Sequence, residues 1–201
     1  IGQLDAAVKS FEKALAIKPD YIEVNYNLGL TFQELAQLDD AVKCYEKAVA
    51  LKPDYAEAHN NLGVTLKELG RLEDAVKCYE KALTLKPDFA EAHNNLGNAF
   101  KELGRLDDAV KSYEKALAVN PDFAEAHNNL GNALRDFGQH DAAIKSYEKA
   151  VALKPDFADA HANRGNALKR LKRLDEALAS YESAIALDPD LDFILGNVLH
   201  T

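Results

Sequence analysis

The sequence predicts an all-α fold, a solenoid of stacked antiparallel helix hairpins, and three observations predict it. The stretch YAEAHNNLGVTLKELGRLEDAVKCYEKALTLKPD, Tyr55 to Asp88, recurs along the chain at a spacing of 34 residues. All six prolines, Pro19, Pro53, Pro87, Pro121, Pro155 and Pro189, stand on that spacing. Nine of the ten glycines fall on two positions of the same lattice, and only Gly196 is off it. A fixed period of this length marks an array in which each hairpin buries its apolar face against its neighbours. Five full units are expected, at residues 22–55, 56–89, 90–123, 124–157 and 158–191. A partial unit at 1–21 precedes them, and a degenerate repeat or junction helix is expected at 192–201.

Residues 1–18 read as the second helix of a truncated unit, because Ala7, Phe11, Ala14 and Pro19 sit where Ala75, Tyr79, Ala82 and Pro87 sit later. In each full unit Asp follows Pro and an acid stands three residues on, as in Asp20 and Glu23, Asp54 and Glu57, or Asp156 and Asp159. This is a capping-box arrangement and is expected to start helix A. Helix A then runs from about Ala56 to Leu69 and stops at Gly70, whose freedom at positive φ suits a C-cap. Helix B starts near Glu73, with acids four residues before lysines (Glu73 and Lys77, Asp107 and Lys111, Asp141 and Lys145), the favourable order on a solvated helix face. Gly63 and Ala75 permit close approach of the two helices, and Leu62, Leu66, Leu69, Val76, Tyr79 and Leu83 fill the seam. Tyr79 and its equivalents Tyr45, Tyr113, Tyr147 and Tyr181 are therefore core residues, not a stacking platform.

The fifth unit departs from the pattern. Arg164 replaces the Leu of Leu62, Lys172 replaces the Gly of Gly70, and RGNALKRLKR gathers Arg164, Lys169, Arg170, Lys172 and Arg173. Its helix B carries Ala179 and Ser183 where other units carry lysine, which suggests that something further packs on it. The basic cluster is a candidate for docking a following domain or an acidic partner. After Pro189 the chain reads DLDFILGNVLHT, with LGN three residues earlier than the lattice requires.

Composition excludes several function classes. Against 24 basic residues stand 33 acidic ones, a net charge of -9, which repels nucleic acid and anionic membrane surfaces. No apolar run approaches the roughly 20 residues of a membrane span, and no signal peptide is visible. Ile1 falls in mid-repeat and the chain has no Met, so the first residue is read as other than a natural start. Cys44 and Cys78 share one repeat position, and packed helices about 8 to 10 Å apart hold such residues too far apart for a disulfide, which needs Cα atoms within about 7 Å. Two free thiols fit a reducing cytoplasm. His59, His93, His127 and His161 form a ladder, but ligands of one zinc lie about 2.0 to 2.1 Å from it and rungs a repeat apart cannot share an ion. Interhelical packing is expected of them, no metal or other cofactor is expected, and no residue stands out as catalytic.

One face of helix A is the candidate binding surface. Asn27, Asn61, Asn95, Asn129 and Asn163 recur in every full unit, beside Asn60, Asn94 and Asn128, and a second set one turn on comprises Asn98, Asn132 and Asn166. Asn costs roughly 0.5 kcal/mol against Ala in a helix, so the five that recur in every unit and the second set together, eight residues, forgo about 4 kcal/mol. A carboxamide both donates and accepts, matching the two groups of a peptide unit, so a row of them is suited to grip a main chain of any sequence. Rungs about 8 to 10 Å apart correspond to roughly three extended residues at about 3.3 Å each. The alternative is that these amides bond to neighbouring helices within the scaffold.

His59, Leu62, Gly63, Leu66, Ala75, Tyr79, Ala82 and Pro87 have the spacing of the tetratricopeptide repeat, with His where that family most often has Trp. The chain resembles a tetratricopeptide array, which implies a right-handed superhelix. The Asn of successive repeats, lining the inner surface of such a superhelix, is similar to the peptide-binding ladder of the O-linked N-acetylglucosamine transferases, whose repeats precede a catalytic domain. The segment LDFILGNVLHT resembles the junction to that domain in bacterial, Spindly-like members. No catalytic or sugar-nucleotide residue is implied within this chain. The carboxylate clamp of chaperone-binding tetratricopeptide proteins needs Lys where Glu57, Glu91 and Glu125 stand, so chaperone tails are disfavoured. The function expected is a protein-interaction module that binds extended polypeptide in a concave groove, within a larger protein such as a peptide O-GlcNAc transferase. The rival is a scaffold that self-associates through uncapped repeat ends.

Overall fold

Each proline fixes where a second helix ends. The residue before Pro is pushed out of the α region by the ring, and Lys52, Lys86, Asn120, Lys154 and Asp188 accordingly take φ from -129° to -137° with ψ from 86° to 97°. A computed structural model describes residues 2–191, in which there are eleven α-helices and no strand. Ile1 and the expected junction element at 192–201 lie outside the described residues. The chain divides into two compact units, Ile1–Leu103 and Gly104–Thr201.

The first unit holds α1 (Gly2–Ile17), α2 (Ile22–Glu34), α3 (Leu38–Leu51), α4 (Ala56–Glu68), α5 (Leu72–Leu85) and α6 (Ala90–Glu102). Here α2 pairs with α3 and α4 with α5, while α1 packs on α2, α3 on α4 and α5 on α6. The second unit holds α7 (Leu106–Val119), α8 (Ala124–Asp136), α9 (His140–Leu153), α10 (Ala158–Arg170) and α11 (Leu174–Leu187), with a short 3-10 turn at Pro189–Leu191. In it α8 pairs with α9 and α10 with α11, and α7 packs on α8 and α9 on α10. Both units are all-α stacks of antiparallel hairpins, the fold class read from the sequence.

The first helix of each hairpin ends in a Schellman motif. The Gly70 N–H bonds the Lys67 carbonyl at 2.9 Å and the Arg71 N–H reaches back to Leu66 at 2.9 Å, satisfying carbonyls that the last turn leaves without partners. Gly70, Gly104 and Gly138 take φ of 74°, 73° and 77° there. Ala36 and Lys172 occupy the same turn at 57° and 60° without glycine's freedom.

The N-termini correct the capping-box expectation. The N-cap residues are Tyr21, Tyr55, Phe89, Phe123 and Phe157, none of which makes a side-chain cap bond. Asp54 sits one residue too early, in a turn closed by Tyr55 N–H on the Lys52 carbonyl at 3.1 Å. Glu57 falls at the second helical position, where its own backbone N–H and then Lys86 hold its carboxyl below the usual range. Glu125 is held down by its backbone N–H and by Lys154 in the same way. Acids here act on the exposed amides and the helix dipole. The surface pairs also differ from expectation, since Lys77 bonds Asp74, three residues before it, at 3.1 Å, not Glu73. Arg71 holds the other side of that Asp74 carboxylate at 3.0 Å, which draws it toward both cations.

The seam of each hairpin is a glycine against a tyrosine ring. A Cβ built on Gly29 or Gly63 would lie 2.7 Å from the ring of Tyr45 or Tyr79, and on Gly131 or Gly165 it would lie 2.5 Å from Tyr147 or Tyr181. Those rings are fully buried. In the second unit Ala143, Ile144, Tyr147, Ala167, Leu168, Ala177 and Tyr181 form one core, with Leu134 and Leu171 packed against it. The small alanines let the helices close on the aromatic rings.

Candidate functional site

The first asparagine series lies on the first helix of each hairpin, and Asn61, Asn95 and Asn163 are each tied to the first helix of the hairpin before. In the first unit Asn61 donates through Nδ2 to the Tyr26 hydroxyl at 2.9 Å, and Asn95 donates to Asn60 Oδ1 at 3.1 Å. In the second, Asn163 donates to Asn128 Oδ1 at 3.1 Å. Asn61 also accepts from Asn60 at 3.2 Å, and Asn163 accepts from Arg135 Nη1 at 3.4 Å. Asn27 is exposed, while Asn61, Asn95, Asn129 and Asn163 are half-buried. A carboxamide carries two N–H donors and an oxygen with two lone pairs. Anchored Asn163 therefore retains one N–H and one lone pair beyond these bonds, while Asn61 also bonds the Tyr45 hydroxyl.

Asn60, Asn94 and Asn128 require a correction. They are only 6, 8 and 7% exposed, so they belong to the interior and no extended peptide reaches them. Asn60 and Asn128 are the acceptors that fix the next rung. Tyr26 takes this position in the first full repeat, and its ring stacks on Tyr55 at 4.9 Å between centroids.

The second series serves the tyrosines. Tyr147 and Tyr181 each donate a hydroxyl proton to Asn132 and Asn166 Oδ1 at 2.9 Å. Tyr45 uses Gln33 instead, at 3.1 Å. Val64 stands in this series opposite Tyr79, whose hydroxyl is buried without a partner among the described residues. Asn98 on α6 is half-buried. For Asn132 and Asn166 the scaffold claims the carbonyl oxygen; Asn132 is half-buried and Asn166 exposed.

The histidine ladder is a set of internal clamps. His59, His93, His127 and His161 Nε2 lie 3.0, 2.9, 2.9 and 3.0 Å from the carbonyls of Pro53, Pro87, Pro121 and Pro155. A carbonyl only accepts, so Nε2 carries the proton. Each ring thus ties helix start to the preceding turn, a duty that Asn25 performs at the same position by donating to Pro19 and Tyr21 carbonyls. Burial lowers the His59 pKa more than this bond raises it. Burial also pushes the Cys44 and Cys78 thiols up to about 11, so both are poor nucleophiles. Among the described residues no cluster of His, Cys, Asp and Glu is arranged to hold a metal, and no helix is long and apolar enough to cross a membrane.

The basic residues of the fifth unit are not brought together as one group. Half-buried Arg164 donates to Ser180 Oγ at 3.0 Å, replacing a core leucine with a hydrogen bond to α11. Arg173 pairs with Glu176 at 2.6 Å. Lys169, Arg170 and Lys172 instead line an open cavity of about 700 Å³ together with Asn166 and Arg135. Arg135, on α8, was not among the basic residues singled out from sequence. Its signal was the lattice itself, since it falls in register with Lys67, Lys101 and Lys169.

Comparisons with known proteins place these features in a wider set. A family profile described as tetratricopeptide repeat matches residues 94–156 and 130–192, and another described as TPR repeat matches 1–36, 34–70 and 65–104. No curated protein matched the chain. Among solved structures, MamA is 29% identical over 81% of this chain and 95% of its own, with a TM-score of 0.74. A thermophilic TPR protein of Thermus thermophilus is 25% identical over 90% of this chain and 100% of its own, with a TM-score of 0.71. YrrB, described as a TPR protein with an unusual peptide-binding site, is 24% identical over 96% of this chain and 97% of its own, with a TM-score of 0.73.

Proposed function

Because the chain belongs to the tetratricopeptide-repeat family, we propose that it is a protein-interaction module whose first-helix faces grip the main chain of an extended polypeptide. The observation that carries this reading is the half-spent carboxamide. Asn61, Asn95 and Asn163 are each fixed by an N–H bond of 2.9 to 3.1 Å to the first helix of the preceding hairpin, and Asn163 keeps a donor and an acceptor beyond its bonds. A side chain already held in place loses little rotamer entropy when it meets a ligand. The internal bonds thus preorganise the ladder. The finer form of the reading, recruitment of substrate within a larger protein such as a peptide O-GlcNAc transferase, is supported by the unbroken series Asn27, Asn61, Asn95, Asn129 and Asn163. A cytoplasmic setting is supported by two protonated free thiols.

The test is Asn95, Asn129 and Asn163 to Ala, read with a fluorescein-labelled twelve-residue peptide of four Gly-Gln-Gln repeats. Because Asn60 and Asn128 would each lose a buried partner, at a cost of about 1 to 3 kcal/mol apiece, melting falls as well as affinity. Single substitution of Asn27, which is exposed, separates the two effects: affinity drops and melting holds. Unchanged peptide affinity in both variants ends the proposal.

A self-associating scaffold is the second reading, favoured by one observation. Leu174, Leu178 and Leu187 on α11 are 53, 38 and 42% exposed, and the helix lacks the lysines that solvate its counterparts.

A further inference from the structure

We infer that the cavity between α1 and the turn from α2 to α3 takes an arginine side chain from a partner polypeptide. It uses none of the asparagine rungs and so goes beyond the reading above. The lattice gives the first reason. Arg71, Arg105 and Arg173 stand three residues before Asp74, Asp108 and Glu176, and each arginine bonds its acid, at 3.0, 2.6 and 2.6 Å. Where Gln139 replaces the arginine, Ala142 replaces the acid, and Gln3 is likewise followed by Ala6. Gln37 breaks the rule, because its arginine is gone while Asp40 remains. Asp40 is held on one side by Lys43 at 2.8 Å, as Asp74 is by Lys77 at 3.1 Å, and what Asp74 has besides is Arg71.

The surroundings of the missing guanidinium are the second reason, and they are independent of the first. Glu176 bonds Arg173 and raises its pKa, and the charges of Asp141 and Glu148 on α9 raise it further. Four repeats earlier those three carboxylates are Asp40, Asp5 and Glu12. In the first unit they line one cavity of about 600 Å³, within the ordinary size of ligand sites. Three carboxylates that face a guanidinium in one hairpin thus face a cavity in another. The turn has kept its shape, since Gln37 takes φ of -87° and ψ of 67°, as Arg105 does. Val8, Phe32 and Leu35 also line the cavity, apolar surface on which the stem of an arginine can lie. Lys9 stands at the wall as well, but its counterpart Lys145 on α9 does not keep Arg173 from its carboxylates. A guanidinium is a planar fork of five donors that meets several carboxylate oxygens at once, and a net charge of -9 draws a cationic segment in. In each counterpart the guanidinium arrives on a polypeptide side chain, and the apolar wall matches that stem, so the occupant is an arginine of a protein.

The experiment compares three fluorescein-labelled twelve-residue probes by anisotropy at low salt, built of four Gly-Gln-Arg, Gly-Gln-Lys or Gly-Gln-citrulline repeats. Citrulline keeps the shape of arginine without its charge. Wild type is expected to bind the Arg probe about tenfold more tightly than the citrulline probe, and several-fold more tightly than the Lys probe, whose ammonium lacks the fork. Gln37→Arg restores the arginine of the other hairpins, so it melts no lower than wild type, yet it fills the cavity and brings the Arg probe down to the citrulline level. Asp40→Asn loses several-fold affinity for the Arg probe alone. Gln139→Arg adds the same charge at the start of α9, where Ala142 stands in place of the acid, and keeps the full preference. A preference for arginine that survives Gln37→Arg, or one that Gln139→Arg removes equally, overturns the inference. A Lys probe bound as tightly as the Arg probe overturns it too, in favour of a general attraction of cations. So does competition by arginine amide as strong, per arginine, as that by the unlabelled Arg peptide, which would make the cavity a small-molecule site.

Discussion

At the scale of single residues, the sharpest contrast is between tyrosines that differ only in what faces their hydroxyl. Tyr147 meets Asn132, whereas Tyr79 has Val64 at the corresponding position of the repeat and no partner among the described residues. An orphaned buried hydroxyl costs about 1 to 3 kcal/mol, and a satisfied one contributes about 1. Urea denaturation is therefore expected to show Tyr79→Phe stabilised by about 1 kcal/mol and Tyr147→Phe destabilised by a similar amount. Equal effects of the same sign would mean that the hydroxyl environments do not differ. That Tyr79 is core was legible in the sequence, because its spacing from Ala75 and Ala82 puts all three on one helix face. What its hydroxyl meets was not, because the partner sits fifteen residues away on another helix. The same limit hid the bond of Asn95 to Asn60, and it made an inward brace read as part of an outward surface.

At the scale of the element, boundaries were legible wherever one residue type forces a backbone angle. Proline ended each second helix and glycine three of the first ones, with Ala36 and Lys172 in the same turn of the other two, and the helices stop within a residue or two of expectation. The N-termini were not legible in the same way. A capping box is recognised by side-chain spacing, but which residue becomes the N-cap depends on the turn before it, and here that turn delivers Tyr55 and Phe89 in place of Asp54 and Asp88. Two glycines of one repeat give a test of forced angle against forced contact. Gly63→Ala drives a Cβ to 2.7 Å from a fully buried ring, and overpacking of this kind costs about 1 to 3 kcal/mol. Gly70→Ala meets nothing within 4 Å and bears only a left-handed backbone, at about 1 kcal/mol. Thermal melts that rank the two in the opposite order would show that the Tyr79 ring yields.

At the scale of the molecule, the fold class was legible throughout because the sequence repeats its own evidence at every unit. The binding surface was legible as a stripe of amides but not as a set of roles, since the roles are assigned by contacts 35 residues apart. Self-association is decided at this scale as well. Light scattering over a hundredfold range of concentration is expected to show the mass rising above one chain, and Leu174→Lys with Leu178→Lys to hold it at one. A mass fixed at one chain throughout removes the scaffold reading. The bond that joins Asn61, Asn95 and Asn163 each to the repeat before has a consequence for inheritance. Donor and acceptor are neighbours in sequence, as Asn61 follows Asn60, so excision of residues 56–89 would set Asn95 against Tyr26, the very hydroxyl that Asn61 uses now. Loss or duplication of 34 residues hands each new junction a matched pair, and the length of such a gene is free to drift while its joints stay sound.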